Sequence, residues 1–553
     1  MLPSIQRGHN KLNIKKIENS FNTTADKKCT IAKHGMVSSA FPEATKAGVE
    51  MLKKGGNAVD AACATSLALG VCEPQASGIG GQSLAILHIN GKTIAIDGSS
   101  RAPSLAHNTF FEKKSHRFIG YKATTVPSTI ATLGYLNETY GQLKWETIVK
   151  PSIRIAKRGY KITKLQHDLQ EQNLVKFFRV KSKSGAKYFL KDGLVPYEDG
   201  DRFVQDDLAH TLENISKYGY RSFYHGMIAT LIDKDMKINK GFLRKEDLAL
   251  IPVPIERKPI SRRYRGITVY TMPPPAAGDT MLLVLMMLSN LKKSFLRSRS
   301  PQSYHFVCET FRKALLYRAQ RKFNPQTYHQ VDVRTHLSPS FARTLTKSIR
   351  DSIDPELPLK ETPDIEDTTH LSVMDRDGNA VGITQSIELT YGSKAAADGL
   401  GFLYNNYMSA FEFENPNHPF YLRPNAIPWT SVSPSIIFYN HEPWIVLGSP
   451  GSARIFSVVS HFISRIIDGD NSIGEAMERP RIHSSLDGKI SIEADDSATE
   501  IIRHLKKMGY KIDIKERFSF YLGAIHAVLK EQSGDGFQGV AEIRRDGTAE
   551  GLN

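Results

Sequence analysis

The sequence predicts a layered α/β protein in which helices pack on sheets. Three observations predict it. Residues 43–70 carry small apolar residues at helical spacing, residues 125–250 are charged and mostly helical, and short alternating strands dominate from residue 368 onward. The sequence shows no internal repeat and no low-complexity tract.

The N-terminal part is expected to begin with a loosely ordered arm, residues 1–33. A helix over 43–54 follows, and Asn57 can cap a second helix at about 58–70. This second helix is apolar almost all round, which predicts deep burial. Two strands are then expected on either side of the turn Asn90-Gly91.

The middle of the chain is expected to contribute two further helices. A proline-bounded turn leads into an apolar helix within 272–291, and another helix covers 303–323. Residues 324–367 are mostly polar and are interrupted by acids and prolines. From 368 the pattern changes to short strands at Leu371–Asp375, Ala380–Ser386, 434–439 and 443–450, with helices at 453–467 and 473–478.

The chain is basic: 73 Lys and Arg residues against 57 Asp and Glu give a net charge of +16 over 553 residues. Denser positive patches lie at 179–187, 256–266 and 292–300. Such a surface can attract nucleic acid, acidic lipid or an anionic small substrate. None of the patches belongs to a recognisable nucleic-acid module. We therefore interpret them as solvated surface and expect no nucleic-acid partner.

Cysteine content and hydropathy exclude several other classes. The four cysteines contain no C-x-x-C pair, which argues against a disulfide framework or a zinc site. No stretch approaches 18 apolar residues, and the polar N-terminus lacks the apolar run of a signal peptide. The sequence as written thus predicts no membrane partner and a cytoplasmic location.

Thr368 is the candidate for chemistry. A threonine hydroxyl is a poor nucleophile unless a base takes its proton, and a threonine at a new N-terminus can use its own α-amine. Such an enzyme must first be cut before the threonine, which its own hydroxyl can do by attacking the preceding carbonyl. The loop 363–367, the bond Asp367–Thr368 and the strand that follows fit this requirement. The hairpin would bring Thr384 and Ser386 close to Thr368.

Three other segments have the composition of binding loops. "LGSPGSARI" (447–455) is a turn between a strand and a helix, where backbone N–H groups can hold an oxyanion. "PWTSVSP" (428–434) is rich in hydroxyls that can grip a carboxylate. "SGIGGQS" (77–83) allows close backbone approach but lacks the spacing of a phosphate loop.

Taken together, these segments resemble the γ-glutamyltranspeptidase (glutathione hydrolase) family of N-terminal-nucleophile hydrolases. The likeness runs from about Gly35 to the C-terminus. Its anchors, in family order and spacing, are "KKGGNAVDAACATSLALGVCEPQASGIGGQS", "IDGSSRAP", "YRGITVYTMPPPAAGD", "TTHLSVMDRDGNAV", "GLGFLYNNYMSAF", "SVSPSII", "LGSPGSARI" and "RPRIH". The resemblance implies a four-layer αββα sandwich built from two self-processed segments, 34–367 and 368–553. It also makes a periplasmic or secreted location the alternative to a cytoplasmic one.

The resemblance assigns catalytic roles to named positions. Thr368 would be the nucleophile, and Ser386 the second hydroxyl that orients it. The glycine pair that forms the family's oxyanion hole corresponds to Gly451 and Ser452, which would form it through their backbone N–H groups. Thr430 and Ser431 would hold the α-carboxylate of the substrate.

The chain departs from the family pattern at the substrate pocket. Ser99 stands where the family has its carboxylate-binding arginine, and Arg101 is the candidate replacement. Glu388 replaces an asparagine, and it is a candidate to supply the negative charge for the substrate from another position. Tyr407 and Ala410 replace the acidic or amide residue and the aspartate that meet the α-ammonium, and losing the aspartate removes a charge-assisted contact.

Two enzyme hypotheses follow, with a third from a different class. The first is a self-processing γ-glutamyltransferase-like hydrolase that passes a γ-glutamyl-type acyl group through Thr368 to water or an amine. This mechanism needs no metal or organic cofactor. The second is a related acylase for another amide, such as a glutaryl side chain or a poly-γ-glutamate link, and the changes at Ser99, Glu388 and Ala410 favour it. The third is a non-catalytic basic binding protein.

Overall fold

The computed structural model describes residues 12–18, 28–320, 333–349, 367–495, 498–532 and 534–553. Most of the predicted arm, the end of the helix predicted at 303–323 and the loop 363–366 before the candidate cleavage point lie outside these residues.

The described residues form seventeen α-helices and nineteen strands. The helices are α1 Ile14–Glu18, α2 Pro42–Lys53, α3 Ala58–Cys72, α4 Thr129–Tyr140, α5 Trp145–Arg158, α6 Lys164–Phe178, α7 Ser184–Phe189, α8 Asp206–Tyr218, α9 Met227–Ile238, α10 Lys245–Ala249, α11 Gly278–Leu288, α12 Lys293–Arg297, α13 Pro301–Gln320, α14 Pro339–Lys347, α15 Ile455–Ile467, α16 Ile473–Glu478 and α17 Ala498–Lys507. The strands are β1 Cys29–Ala32, β2 Gly35–Ser39, β3 Gln82–Ile89, β4 Lys92–Gly98, β5 Tyr160–Lys161, β6 Arg202–Phe203, β7 Ile255–Arg257, β8 Ile260–Tyr264, β9 Ile267–Thr271, β10 Thr369–Asp375, β11 Ala380–Ser386, β12 Ser435–Tyr439, β13 Glu442–Gly448, β14 Ile482–Ser484, β15 Lys489–Glu493, β16 Lys511–Lys515, β17 His526–Lys530, β18 Phe537–Val540 and β19 Thr548–Gly551.

Two seven-stranded antiparallel sheets form the centre of the molecule. The first sheet has the order β19-β2-β10-β11-β3-β4-β7, and the second has the order β1-β18-β17-β13-β12-β9-β8. Strands from before and after residue 367 alternate in the first sheet, because β10 and β11 lie between β2 and β3. The two segments of the chain therefore share one hydrogen-bonded ladder.

Three apolar cores separate four layers. Leu371 and Val373 of β10 pack with α2 and α3 on the outer face of the first sheet. Met374, on the opposite face of the same strand, packs against Val446 and Val528 of the second sheet. A third core lies between the second sheet and helices α11, α13 and α15. The predicted αββα sandwich is thus confirmed.

Most predicted elements agree with the structure to within a few residues. The helix predicted at 58–70 is α3, in which nearly every side chain is buried, and the Asn57 side chain accepts hydrogen bonds from Val59 N (2.9 Å) and Asp60 N (3.1 Å) at its start. The expected strand 380–386 and helix 473–478 coincide with β11 and α16. The arm prediction is wrong for residues 29–32, which form β1. Their backbone pairs with β18, a partner near the other end of the chain that gives no local signal.

Candidate active site

The hairpin β10–β11 places the two predicted hydroxyls side by side. Thr369 pairs with Gln385 across the ladder, so Thr368 and Ser386 are the next facing positions. Asp375 shapes the turn by accepting hydrogen bonds from the backbone N–H groups of Asp377 and Asn379, each 3.0 Å long. Ser386 therefore lies beside Thr368, as predicted.

Thr384, which the sequence also places near Thr368, instead lies in the interior between the two sheets. Its hydroxyl lies 2.9 Å from Nδ1 of His370, whose Nε2 lies 3.0 Å from the hydroxyl of Ser372. Burial lowers the pKa of His370 well below its ordinary value, so this histidine is neutral at physiological pH. His370 is thus a structural part of the hairpin.

Ser386 holds together the atoms of the candidate cleavage point. Its hydroxyl donates to the carbonyl oxygen of Asp367 at 2.8 Å and accepts from Glu388 N at 2.8 Å. The hydroxyl of Thr368 lies 3.3 Å from Ser386 Oγ. A serine hydroxyl has one proton, and Ser386 uses it in the hydrogen bond to the carbonyl oxygen of Asp367. The Thr368 hydroxyl must therefore be the donor in its hydrogen bond to Ser386. A directed chain runs from Thr368 Oγ1 through Ser386 Oγ to the carbonyl of Asp367.

The side chain of Asp367 is buried against an arginine. Arg545 Nη1 lies 2.8 Å from Asp367 Oδ1 and 3.4 Å from the carbonyl oxygen of Thr368, so it contacts the residues on both sides of one peptide bond. The same nitrogen is 3.5 Å from Glu73 Oε1, and the guanidinium stacks 4.1 Å from the ring of Phe520. Arg545 thus fixes the geometry of the bond before Thr368.

In this cluster two buried carboxyl groups, those of Glu73 and Asp367, share the buried guanidinium of Arg545. Burial raises the pKa of Glu73 to about 8, although the charge of Arg545 opposes the rise. Burial also raises the pKa of Asp367, again against Arg545. Glu73 therefore carries a proton at neutral pH.

Glu388 has an unusual backbone conformation, which two backbone hydrogen bonds require. Its φ is 81°, in the left-handed region that non-glycine residues rarely adopt. In this conformation its N–H reaches Ser386 Oγ while its carbonyl accepts a 2.9 Å hydrogen bond from Asp367 N. The backbone of Glu388 therefore holds both hairpin ends, whatever its carboxylate binds.

The turn after β13, where the oxyanion hole is predicted, contains two successive residues with positive φ. Gly451 has φ 127° and Ser452 has φ 56°, and the chain then enters a short 3₁₀ turn and α15. A Cβ at position 451 would lie 3.1 Å from Gly523 Cα, a tight approach to backbone, and residues with a side chain rarely adopt this φ, so glycine suits the position. Ser452 takes a conformation that glycine adopts more readily, which agrees with the glycine pair that the resemblance implies here.

The remaining predicted binding residues belong to neighbouring segments. The Thr430 backbone is fixed by Arg318, whose Nη2 donates to its carbonyl at 2.6 Å, and Ser431 is half-buried. Tyr407 is buried, and the preceding Asn406 bonds the backbone of Ile387 and Leu389, on either side of Glu388. In the described residues, neither Thr430 nor Ser431 hydrogen-bonds Thr368.

The environment of Ser99 contains an arginine from another strand. The hydroxyl of Ser99 donates to Asp97 Oδ1 at 2.6 Å, and Arg257 Nη1 lies 3.6 Å from Asp97 Oδ2. Arg101 stands two residues further on and lines an open cavity. The structure thus places Arg257 and Arg101 near the position where the family pattern has its arginine.

Sequence reasoning placed the cleavage at the Asp367–Thr368 bond, but it missed the side chains of Asp367, Arg545, Glu73 and Arg257 as members of the site. Arg545 is separated from Asp367 by 178 residues. Only the pairing of distant strands brings these residues together, and no local motif marks them.

One cluster with metal-ligand chemistry lies apart from this site. On α6, His167, Asp168 and Glu171 hold potential ligand atoms within 4.8 Å of one another, the only such group in the part of the chain described. All three are at least partly exposed, and Lys164 pairs with Asp168. We assign it no function.

Comparison with known proteins agrees with this geometry. The family model described as Gamma-glutamyltranspeptidase matches residues 44–552. The chain belongs to this family. It is 32% identical over 534 residues to the glutathione hydrolase proenzyme of Escherichia coli, covering 91% of this chain and 89% of that protein. It is therefore a γ-glutamyltransferase-like enzyme.

Acylases are similar to this chain as well. Acylase ACY 1 proenzyme of Pseudomonas sp. strain V22 is 28% identical over 549 residues, covering 95% of both chains. The crystal structure of cephalosporin acylase from Bacillus halodurans superposes with a TM-score of 0.86 at 27% identity, covering 97% of this chain and 99% of that one. None of the helices in the described part of the chain has the length and apolar character that crossing a membrane requires.

Proposed function

We propose that this γ-glutamyltranspeptidase-family chain is a precursor that cleaves its own Asp367–Thr368 bond and then uses Thr368 as an N-terminal nucleophile on an amide substrate. The observation that carries the proposal is the position of Ser386. Its hydroxyl bonds the carbonyl of Asp367 and accepts from the hydroxyl that would attack that carbonyl.

The hydrogen-bond direction supplies a proton path for self-cleavage. Thr368 Oγ1 bonds to the carbonyl carbon of Asp367, and its proton passes to Ser386 Oγ. The proton of Ser386 moves to the carbonyl oxygen, which gives a neutral tetrahedral intermediate without an external base. In the collapse the C–N bond breaks, the intermediate's hydroxyl gives its proton to the nitrogen of Thr368 as the C=O re-forms, and the resulting ester is hydrolysed by water.

The products would be a large subunit, 1–367, and a small subunit, 368–553. They would stay together because β10 and β11 of the small subunit are bonded on both sides to β2 and β3 of the large one. The freed α-amine of Thr368 would then act as the base for its own hydroxyl.

In turnover, Thr368 would take the acyl group of a γ-glutamyl-type amide and pass it to water or an amine. The N–H groups of Gly451 and Ser452 would hold the tetrahedral oxyanion. Ser386 would orient the nucleophile as it does in the precursor. The residues proposed to bind the rest of the substrate are Thr430, Ser431, Tyr407, Glu388 and Arg101.

A second candidate is an acylase that takes a side chain without an α-amino group. Ala410 favours it, because the aspartate that would meet an α-ammonium is missing, and so does the likeness to cephalosporin acylase. Hydrolysis of γ-glutamyl-p-nitroanilide and glutaryl-p-nitroanilide by the same preparation separates the two. The better substrate, judged by kcat/KM, decides between them.

Self-cleavage is tested on a denaturing gel after prolonged incubation of the purified chain. Wild type should give two fragments, Thr368→Ser should give the same two, and Thr368→Ala should remain a single full-length chain. An intact wild type without activity on either anilide would instead identify a non-catalytic relative.

A further inference from the structure

Four buried polar atoms at the candidate cleavage point have no hydrogen-bond partner among the described residues. They are Glu73 Oε2, Asp367 Oδ2, Thr369 Oγ1 and Arg545 Nε, and none of these residues exposes more than 6% of its surface. Buried polar atoms in folded proteins are nearly always hydrogen-bonded, either to the protein or to ordered water. Two carboxyl oxygens, a hydroxyl and an N–H group match the needs of a buried water, which makes about three hydrogen bonds.

One guanidinium joins these residues to the peptide bond before Thr368. Arg545 Nη1 lies 2.8 Å from Asp367 Oδ1, 3.5 Å from Glu73 Oε1 and 3.4 Å from the carbonyl oxygen of Thr368. Thr369 is the next residue along the chain. The four unpartnered atoms therefore belong to the immediate surroundings of the bond that self-cleavage would convert into an ester.

The end of helix α3 fixes the position of Glu73. Its N–H donates to Leu69 O at 2.8 Å, and its carbonyl accepts from Ala76 N at 3.1 Å. The carbonyl of Ala76 in turn accepts a 3.3 Å hydrogen bond from Ile387 N, the residue after Ser386. The backbone thus holds Glu73 against the β10–β11 hairpin independently of its contact with Arg545.

Of the two carboxyl groups in the cluster, that of Glu73 is the less engaged. Asp367 Oδ1 accepts from Arg545 Nη1 at 2.8 Å and from Thr368 N at 2.9 Å. The contact of Glu73 with the same nitrogen, at 3.5 Å, is longer than an ordinary N–H···O hydrogen bond. Glu73 is therefore the carboxyl group that is available to exchange a proton with a neighbouring water.

The charges that face Glu73 keep its affinity for a proton close to that of the surrounding solution. Burial raises its pKa to about 8; Arg545 and the hydroxyl of Thr369 oppose the rise, and Asp367 and Asp546 reinforce it. A general base works best when its pKa lies near the working pH, because it can then both take a proton and return it.

We infer that Glu73 and Arg545 hold a buried water molecule beside the candidate cleavage point, and that Glu73 is the base that activates this water to hydrolyse the ester. The inference rests on the proposed self-cleavage, which leaves this base unassigned. It gives Glu73 a role in maturation of the chain, in addition to its place in the charge cluster.

The step balances in protons and bonds. The carboxylate of Glu73 takes a proton from the water while the water oxygen bonds to the carbonyl carbon of Asp367. In the collapse the bond from that carbon to Thr368 Oγ1 breaks, and Glu73 returns the proton to Oγ1. The products are the new carboxyl group of Asp367 and the free hydroxyl of Thr368, and Glu73 is again a carboxylate.

Hydroxylamine tests this step because it competes with water for the ester. The full chain is made by cell-free translation, translation is stopped, and hydroxylamine is added. Mass spectrometry of the large fragment then gives the ratio of carboxylate to hydroxamate at Asp367. Glu73→Gln should mature more slowly than wild type and lower this ratio by about 10²- to 10⁴-fold, the usual contribution of a general base. Hydroxylamine should restore much of its rate.

Two further variants separate the chemistry from the fold. Glu309→Gln removes a buried carboxylate that pairs with Arg312 at 2.9 Å on α13, and it should leave the ratio unchanged. Glu73→Asp keeps a carboxylate with a shorter reach and should give an intermediate ratio. Relative to Glu73→Gln, the wild-type ratio should rise about tenfold for each pH unit below about 8 and then level off.

A wild-type ratio in Glu73→Gln would overturn the inference, because another group would then activate the water. Slow maturation of this variant that hydroxylamine does not relieve would also overturn it, since Glu73 would then only support the fold. Either result with a wild type that cleaves itself leaves the proposed function standing. A wild type that stays whole with and without hydroxylamine contradicts the proposed function, and the inference fails with it.

Discussion

The hydroxyl of Ser386 donates a 2.8 Å hydrogen bond to the carbonyl oxygen of Asp367. A serine in this position polarises the carbonyl that self-cleavage would attack and holds it in a fixed orientation. Its second neighbour, Thr368 Oγ1 at 3.3 Å, is the attacking atom.

Removing this hydroxyl should slow self-cleavage strongly. We expect Ser386→Ala to lower the rate by about 10²- to 10³-fold, the usual effect of losing one donor to a developing oxyanion. Ser386→Thr should retain most of the rate. Quantified gels over time measure it, and Thr384→Val is the control, because this hydroxyl on the same strand bonds His370 instead. Equal slowing by both variants would mean that the hairpin as a whole was damaged.

Arg545 should stabilise the folded chain, because it pairs with the buried carboxylate of Asp367. Arg545→Met leaves the carboxylate of Asp367 without its 2.8 Å partner, and we expect a loss of about 3–5 kcal/mol in the free energy of unfolding together with slower cleavage. Asp367→Asn combined with Arg545→Met should recover much of the stability. Urea unfolding of the two single variants and the double variant gives the coupling energy. Purely additive losses would contradict the pairing.

Stability should fall as the pH rises through the range in which Glu73 loses its proton. Its pKa is raised from 4.5 to about 8 in the folded chain, so the folded state holds this proton more tightly than the unfolded state. The stabilisation is complete below about pH 4.5 and disappears as the pH passes 8. In Glu73→Gln the urea midpoint should depend less on pH over this interval. Glu442→Gln, at an exposed carboxylate, should not.

Replacing Ser452 with glycine should raise the stability of the folded protein. Its φ of 56° costs a non-glycine residue about 1–2 kcal/mol, and part of this is regained with glycine despite the larger entropy of the unfolded chain. We expect Ser452→Gly to gain about 0.5–1 kcal/mol and to keep activity, since the proposed oxyanion hole uses the backbone N–H of this residue. Ser457→Gly, within α15, should lose stability instead. Thermal unfolding compares the two, and a loss at position 452 would contradict the strain assigned there.

The sequence predicts those contacts of the site that join residues close together in the chain. The β10–β11 hairpin is local, so the alternation of Leu371–Asp375 and Ala380–Ser386 and the turn between them suffice to place Ser386 beside Thr368. The same reasoning puts Thr384 near Thr368. The register instead pairs Thr384 with His370. Each two-residue step along a strand moves a side chain by about 7 Å, which is enough to take Thr384 out of reach.

The charged surroundings could not be predicted in this way. Arg545 and Glu73 reach Asp367 only through the order of strands and helices in the folded sandwich. Arg257 reaches Asp97, beside Ser99, because β7 pairs with β4 although the two strands are far apart in the sequence. Likewise β1 is an edge strand that forms because its backbone pairs with β18. Its own sequence pattern does not distinguish it from a loosely ordered arm.

The most direct test of the central claim is the N-terminal residue of the smaller fragment after the purified chain has been incubated alone. Cleavage by Thr368 at its own peptide bond predicts a fragment that begins "TTHLSV", with Thr368 as its first residue, and a larger fragment that ends at Asp367. A fragment beginning at any other residue, or a chain that stays whole while it hydrolyses an amide, would contradict it.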